Sequence, residues 1–462
     1  MRALLKTAGL AAVILSGAGA AFAADSAGSI DGRWDAALTT KDGTVIPFRL
    51  DLSGSGSTVR GTLYDGFHPY DGTTSAGYSD GRLTLTIEHY LTTINAQLKD
   101  GQLVGDVTSQ GRGQFQQFGF QAVRHVNGSD AAASAAAPNI AGSWVVPLPA
   151  PSAKGEKAFR FIVEQHGAEV AGSILRVDGD TGSFTGTFKD GKWVLSHFDG
   201  SRPGVITVIP NADGTIEIDQ RAARPPAAQP VSAKAGSYGA EDAPNGRNAA
   251  QLVAYRPDVA VAKGLPQPEN YETHTTARDP HEKFTFSFPD DNGKLVRNED
   301  PRFKGKVVLA IVTGTWCPNC HDEAQYLVQL DKKYRDKGLA IVALDFEEPD
   351  QQGNLAREHA FVKQYGVKYT YLIAGAPEEM WEKVPQLVNL NTWPATVFVG
   401  RNGTVRGVHS GFASPASGEF NEQLKHEFTA KIETLLAEKA SAAKTAATAS
   451  DQVRTVQVAQ AN

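Results

Sequence analysis

The chain has 462 residues, of which 41% are hydrophobic and 21% charged; these proportions are ordinary for a soluble globular protein and exclude a chain that is disordered throughout. At roughly 150 residues per domain, this length predicts about three domains. A net charge of −6 without a basic patch argues against nucleic acid as a partner. The two cysteines, Cys317 and Cys320, are too few for a disulfide scaffold.

The first 23 residues have the pattern of a secretory signal peptide. Arg2 and Lys6 form a positive start, Ala8 to Leu15 a short apolar run, and residues 21–23 (AFA) a cleavage site. The apolar run contains a glycine and is shorter than the ~20 residues that a membrane span needs. We therefore expect cleavage before Ala24 and a soluble protein exported to the periplasm, where conditions are oxidising.

Residues 28–257 contain an internal repeat. The first copy opens with IDGRW, ending at Trp34, and the second with IAGSW, ending at Trp144, so the two tryptophans lie 110 residues apart. Residues 127–139 are rich in Ala and Ser and are typical of a linker. This pattern predicts a duplicated domain, with copies at 28–127 and 139–257.

Each copy has the pattern of an all-β domain. Residues 82–88 (RLTLTIE) alternate between apolar and polar at the period of a strand. Asp-Gly pairs recur in both copies, and they supply the positive φ angles that tight hairpin turns require. We predict about eight strands per copy in an antiparallel barrel or sandwich, with Trp34 and Trp144 in the core. A long Ala-, Pro- and Gly-rich loop at 221–248 precedes the last strand.

Residues 278–438 change to an α/β pattern. The predicted strands are 284–288, 306–312, 339–346, 395–399 and 405–410, and the predicted helices are 317–337, 354–365 and 420–437. This order predicts an α/β layer with a mixed sheet. Residues 439–462 are rich in Ala, Thr and Gln, which predicts a disordered tail.

Both cysteines belong to the sequence WCPNC at 316–320, where a predicted buried strand gives way to a helix. Free backbone N–H groups and the helix dipole at such a position stabilise a thiolate at Cys317. Cys320 lies one turn further on, close enough to form a disulfide with Cys317. The spacing predicts that Cys317 attacks a substrate sulfur and that Cys320 resolves the mixed disulfide.

Residues 280–437 resemble the thioredoxin superfamily and, within it, the exported TlpA/ResA-like thiol-disulfide oxidoreductases. The resemblance depends on the buried strand before WCPNC, an additional central segment, and the sequence WPATVF at 393–398. It implies a thioredoxin-like fold and disulfide exchange by Cys317 and Cys320 with client proteins that carry thiols or disulfides. A membrane electron donor is a further implied partner, whereas no cofactor and no metal are implied.

The same resemblance implies roles for four more side chains. In this family a cis proline precedes the penultimate strand and faces the cysteines. Pro394 holds that place, so we expect Trp393 and Pro394, with Trp316, to bind the substrate. Glu323 matches a family glutamate three residues after the second cysteine and is expected to shuttle a proton to Cys320. The alternative for Glu323 is an exposed position on the helix surface.

Other functions stay open at this point. Cys317-x-x-Cys320-His321 is also the attachment pattern of c-type haem, with Met380 as a candidate axial ligand, although such motifs start in helical contexts and not after a buried strand. The thiolates could instead bind copper together with His409, form half of a zinc site, or close a purely structural disulfide. A binding or scaffold protein that acts through its β repeats is the alternative from a different functional class.

Overall fold

The computed structural model describes residues 29–70, 73–111, 114–126, 136–222 and 251–438. The predicted signal peptide, most of the predicted linker at 127–139 and of the loop at 221–248, and the predicted tail at 439–462 lie outside the described residues. Within the described ranges the strands form two large antiparallel sheets, one five-stranded mixed sheet and two sheets of two strands. In these ranges no helix combines the length and the apolar character needed to cross a membrane.

The first sheet consists of nine antiparallel strands: β1 (Gly32–Thr39), β2 (Val45–Ser53), β3 (Arg60–Asp65), β4 (His68–Tyr70), β5 (Ser75–Ser79), β6 (Arg82–Ile87), β7 (Thr92–Lys99), β8 (Gln102–Gly111) and β9 (Gln114–Arg124). Their order in the sheet is β4-β3-β2-β1-β9-β8-β7-β6-β5. The sheet is curled, since its two ends approach each other: the Tyr78 amide in β5 donates to the Gly56 carbonyl just before β3. The sheet has one strand more than the eight predicted, and its shortest strand, β4, has three residues.

The second sheet consists of eight antiparallel strands: β10 (Gly142–Pro147), β11 (Ala158–His166), β12 (Glu169–Arg176), β13 (Gly179–Lys189), β14 (Lys192–His197), β15 (Gly204–Pro210), β16 (Ile216–Ala222) and β17 (Gln251–Ala254). Strands that are consecutive in the chain are neighbours in the sheet. Val145 and Tyr255 exchange both backbone hydrogen bonds, at 2.8 and 2.9 Å. This sheet is therefore curled too, so that β10 meets the chain just beyond β17. A short helix, α1 (Pro257–Ala262), follows.

Each large sheet encloses a tryptophan in the same way. Trp34 and Trp144 are buried, and each indole N–H donates over 2.9 Å to the carbonyl four residues earlier. Arg124 lies over the Trp34 ring and Arg256 over the Trp144 ring, 4.6 and 3.7 Å from the ring centroids. Both tryptophans are core residues, as predicted. A duplicated β unit would show this shared Trp–Arg arrangement; the duplication and its boundaries stay predictions.

The remaining strands and helices belong to the C-terminal region. The strands are β18 (Thr276–Ala277), β19 (Ser287–Pro289), β20 (Leu295–Arg297), β21 (Val307–Thr313), β22 (Leu339–Phe346), β23 (Thr370–Gly375), β24 (Leu387–Val388), β25 (Ala395–Val399) and β26 (Val405–Ser410). The helices are α2 (Pro318–Tyr334), α3 (Pro349–Gln352), α4 (Ala356–Tyr365), α5 (Met380–Lys383) and α6 at 419–438. Short 3₁₀ turns occur at Glu88–Tyr90, Arg335–Lys337, Pro377–Glu379 and Pro415–Ser417.

The mixed sheet has the order β23-β22-β21-β25-β26. The first three strands are parallel to one another, β25 is antiparallel to β21, and β26 is antiparallel to β25. Two details differ from the prediction. Strand β23 was not predicted, and the predicted strand at 284–288 is reduced to β19, which pairs with β20 outside this sheet. Phe284, Phe286 and Phe288 alternate along the chain and are all buried. Their alternation therefore identified a buried face of the segment, but the segment does not form a continuous strand.

Strand β21 is buried along its whole length and separates two apolar layers. Val307, Leu309 and Ile311 face a layer that includes side chains of α2 and α6. Val308, Ala310 and Val312 belong to the opposite layer, together with both cysteines. This is the pattern of a central strand covered on both faces, and it fixes the place where the chain leaves the sheet towards the cysteines.

Candidate active site

The cysteine loop begins at the carboxyl end of β21 and ends in the first turn of α2. Cys317 is the N-cap residue of α2 and has extended backbone angles, with φ −97° and ψ 115°. Pro318 follows at the first helical position, where its missing N–H costs no intrahelical hydrogen bond. The amides of Cys320 and His321 both donate to the Cys317 carbonyl, at 3.1 and 3.3 Å. The helix dipole at this end favours an anion at Cys317.

Both cysteines are free thiols and both are buried, with exposed fractions of 4% for Cys317 and 1% for Cys320. The pKa of Cys320 is raised well above its ordinary value, first by burial and then by the neighbouring Cys317. Cys317 is slightly the more exposed of the two cysteines. This asymmetry fits an outer attacking sulfur and an inner resolving sulfur.

Three of the predicted substrate-binding residues lie together at Cys317. The Trp393–Pro394 peptide bond is cis, and the Cys317 thiol donates to the Trp393 carbonyl, with 3.5 Å between the atoms. The Trp316 and Trp393 rings meet edge to face with centroids 5.1 Å apart. The Trp316 indole N–H donates to the Phe346 carbonyl at 2.9 Å, which holds the ring against the end of β22. The two indoles and the proline therefore form one wall beside the outer sulfur.

Glu323 is buried, with 1% of its surface exposed, so the alternative of an exposed helix-surface glutamate is wrong. The Thr396 hydroxyl in β25 donates to its carboxylate. Burial raises the pKa of Glu323 to about 8, and the Thr396 hydrogen bond opposes the rise. The charge of Glu323 also raises the pKa of Cys320, which places the two groups within electrostatic reach of each other.

His321 is fully buried and both of its ring nitrogens have partners. Nε2–H donates to the Thr315 carbonyl at 2.7 Å, and the Tyr365 hydroxyl donates to Nδ1 at 2.9 Å. Burial lowers the pKa of His321 to about 4, so the ring is neutral at ordinary pH. A haem iron would have to displace one of these hydrogen bonds, which is a physical argument against the haem interpretation.

The remaining metal candidates also lack a suitable arrangement. His409 is buried, its Nδ1 faces the Gly411 carbonyl at 3.1 Å, and burial lowers its pKa to about 4. Met380 is a core residue. Among the described residues, no group of three or more His, Cys, Asp or Glu side chains is arranged to hold a metal ion.

The structure adds neighbours of the cysteine loop that sequence reasoning missed. The Asn319 side chain donates to the backbone carbonyl of Asp178 in the second sheet, at 2.7 Å. Asp322 and Pro318 line a small cavity together with Asp65 of the first sheet and Asp180 of the second. The Asp-Gly pairs in the sequence predicted turns, but nothing in the sequence predicted these contacts, because they join residues more than 100 positions apart.

Comparison with known proteins shows which proteins the C-terminal region resembles. A family model described as the AhpC/TSA family matches residues 280–408. The thiol-disulfide oxidoreductase ResA of Bacillus thuringiensis (strain Al Hakam) is 32% identical over 120 residues, which are 26% of this chain and 62% of that protein. The protein of the same name from Halalkalibacterium halodurans is 25% identical over 171 residues, which are 37% of this chain and 90% of that protein.

A solved structure of similar type is the thiol:disulfide interchange protein, a thioredoxin family protein, from Chlorobium tepidum TLS. It is 22% identical, with a TM-score of 0.27, and the match covers 35% of this chain and 99% of that one. The chain spans 62% of the first ResA and 47% of another from Bacillus thuringiensis subsp. konkukian, so the matched part is less than two thirds of either relative. The C-terminal region of this chain is a ResA-like domain of the thioredoxin superfamily.

Proposed function

We propose that this chain is an exported thiol-disulfide oxidoreductase that exchanges disulfides with client proteins through Cys317 and Cys320. The observation that carries the proposal is the arrangement of the two sulfurs. Cys317 caps a helix N-terminus beside the carbonyl that precedes a cis proline, and Cys320 lies behind it in the core. The names of the ResA relatives, which call them thiol-disulfide oxidoreductases, support the same chemistry.

In the reductive direction the exchange has two steps. The Cys317 thiolate attacks one sulfur of a client disulfide, which forms a mixed disulfide and releases the other client sulfur as a thiolate. Cys320 then loses its proton and attacks Cys317, which forms the Cys317–Cys320 disulfide and releases the second client sulfur. Two electrons pass from the cysteine pair to the client. The reverse sequence oxidises a client dithiol.

Glu323 is the proposed proton acceptor for Cys320. Cys320 is buried and its pKa is raised, so its deprotonation needs a base inside the core. With a pKa of about 8, Glu323 populates both protonation states near neutral pH, as general acid–base catalysis requires. The wall of Trp316, Trp393 and cis-Pro394 is the proposed binding surface for the client.

The predicted signal peptide supports an exported, periplasmic location, and N-terminal sequencing of the exported protein should then begin at Ala24. After each reductive cycle the Cys317–Cys320 disulfide must recover two electrons, and a membrane electron donor is the proposed source. The proposed organisation is two duplicated β domains, at 28–127 and 139–257, each a barrel or sandwich, before the thioredoxin-like domain at 278–438.

The test uses two serine variants of the exported protein. Cys320→Ser should accumulate a covalent mixed disulfide with a disulfide client, visible as a mass increase that dithiothreitol removes. Cys317→Ser should form none. Equilibration of the wild type in thiol/disulfide buffers should show a reversible two-electron couple. Cysteines that never titrate, or a Cys317→Ser variant that keeps full exchange activity, would overturn the proposal.

A further inference from the structure

The hairpin that joins β12 to β13 lies directly against the cysteine loop. We call residues 176–182 the cap hairpin; its tip is Val177–Asp178, since Arg176 and Gly179 are paired. The Asp178 carbonyl accepts from the Asn319 side chain at 2.7 Å and from the Phe412 amide at 3.3 Å. The Asp180 carboxylate accepts from the Ser414 amide at 2.9 Å. The cap hairpin thus binds both the first turn of α2 and the segment after β26.

The contact is a backbone-to-backbone approach that only glycine permits. Gly179 has φ +113°, and a Cβ built on it would lie 2.1 Å from the Phe412 carbonyl oxygen. Gly411, on the opposite side, has φ +72°, and its Cβ would lie 2.2 Å from the Asp178 carbonyl carbon. Real Cβ atoms do not approach backbone so closely. Any side chain at residue 179 therefore forces the two segments apart.

The hairpin is a preformed unit of the second sheet. The Glu156 carboxylate accepts from the Val177 amide at 2.7 Å, and Lys154 forms an ion pair with the Asp178 carboxylate. These contacts come from the loop between β10 and β11, within the same sheet. The shape of the tip is therefore held by contacts from within its own sheet.

The first sheet covers the next residues of α2. Tyr70 and Tyr90 line the cavity beside Pro318 and Asp322, and the His89 ring lies 4.3 Å from the ring of His321. Together the two sheets contact Asn319 and His321 and enclose a small cavity with Pro318 and Asp322, so they reach four of the five residues that follow Cys317. The helix side of the cysteine loop is covered, and the side of Trp316 and Trp393 is left for the approach of a disulfide.

We propose that the cap hairpin determines which clients reach Cys317: in the docked state small disulfides react, whereas a folded protein client reacts only after the hairpin has moved away. This specificity rests on the proposed oxidoreductase function. A protein client must place its disulfide in line with the Cys317 sulfur and bring its surrounding chain over the loop. The docked hairpin and the first sheet occupy the helix half of that surface, and Cys317 itself is only 4% exposed.

The test is the substitution Gly179→Ala with Gly191→Ala as a matched control. Gly191 lies in the next hairpin of the same sheet, has φ +79°, and has no atom within 4 Å of an added Cβ. Both substitutions place alanine at positive φ, but only Gly179→Ala puts a methyl group against Phe412. Each reduced protein is mixed with insulin, a protein disulfide, and with 5,5′-dithiobis(2-nitrobenzoate), a small disulfide, and single-turnover rates are measured.

We expect Gly179→Ala to reduce insulin about tenfold faster than wild type, because the methyl group weakens the docked state. Its rate with the small disulfide should stay within about twofold of wild type, and Gly191→Ala should match wild type with both substrates. Hydrogen exchange at the Phe412 and Ser414 amides, which donate to the hairpin, should increase in Gly179→Ala only.

Three outcomes would overturn the proposal while leaving the oxidoreductase function standing. They are an unchanged insulin rate in Gly179→Ala, an equal rise with both disulfides, and unchanged exchange at Phe412 and Ser414. Failure of the proposed function looks different, because then wild type and both variants would reduce neither disulfide.

Discussion

The carboxyl group of Glu323 should make the protein less stable as the pH rises, and Glu323→Gln should remove this effect. Burial raises the pKa of Glu323 from 4.5 to about 8, so the folded protein holds this proton more tightly than the unfolded chain does. Below pH ~4.5 the group is protonated in both states and has no effect on stability. From there to pH ~8 only the unfolded chain ionises, so the free energy of unfolding falls as the pH rises.

The magnitude follows from the size of the pKa shift. One pKa unit corresponds to about 1.4 kcal/mol, so a shift from 4.5 to about 8 costs about 5 kcal/mol once the pH exceeds both values. Glutamine keeps the shape of the side chain and an oxygen that accepts from the Thr396 hydroxyl, but it cannot ionise. At pH 5 the two proteins should differ little, and at pH 9 the variant should be the more stable by several kcal/mol.

Urea unfolding of the reduced protein at pH 5, 7 and 9, followed by tryptophan fluorescence, measures this difference. Other buried carboxylates also titrate in this range, but they are present in both proteins and cancel in the comparison. Glu427→Gln makes the same chemical change at an exposed position in α6 and should leave the pH dependence unaltered. Parallel pH profiles for wild type and Glu323→Gln would refute the reasoning.

The same substitution separates the two chemical steps. Formation of the mixed disulfide by Cys317 does not involve Glu323, so its rate should stay unchanged. Resolution by Cys320 loses its proton acceptor and should slow by about a hundredfold. Rapid quenching with acid, followed by mass analysis, would show the mixed disulfide accumulating in the variant. Equal slowing of both steps would show that Glu323 acts on the structure of the loop and not on the proton of Cys320.

Three further predictions address the second sheet, the docking of the cap hairpin and the surroundings of His321. Trp144→Ala should destabilise the second sheet by about 3–5 kcal/mol, measured as a loss of near-ultraviolet circular dichroism at a lower temperature. Burial and the charge of Asp65 raise the pKa of Asp180 to about 6. Docking of the cap hairpin should therefore be strongest below pH ~4 and weaken as the pH rises through 6. The ratio of the insulin rate to the small-disulfide rate should rise from pH 5 to pH 7, and a fall in this ratio would contradict the prediction. Tyr365→Phe leaves Nδ1 of His321 without its donor and should cost about 1–3 kcal/mol, seen as a lower thermal midpoint.

The sequence predicted most strands of the five-stranded mixed sheet well, because its central strands are continuous apolar runs. The observed bounds of β22, β25 and β26 are those predicted, and β21 is displaced by one residue. The edge strand β23 was missed because its residues alternate irregularly between buried and half-buried positions.

Some features of the candidate site follow from neighbouring residues in the chain, whereas others depend on residues far away in the sequence. The position of Cys317 at a helix start follows from its immediate neighbours, chiefly the buried strand before it and Pro318 after it. The hydrogen-bond partner of the buried Glu323 is Thr396 in β25, which is 73 residues away. The contact of Asn319 with Asp178 joins positions 141 residues apart. A single sequence offers no pattern for such pairs, since each residue alone is an ordinary polar side chain.

The duplication that the sequence predicts would give these distant contacts a common origin. Strands β3 and β12 are each the third strand of their sheet, and the hairpins that follow them have tips at Gly66–Phe67 and Val177–Asp178. Both hairpins meet the same segment after β26: a Cβ on Gly66 would lie 3.2 Å from the Ala416 side chain, and Gly179 touches Phe412. Each sheet has an apolar core of its own. The two sheets therefore each bring a hairpin to the same segment of the C-terminal region, and we expect a change in either hairpin to alter access to Cys317.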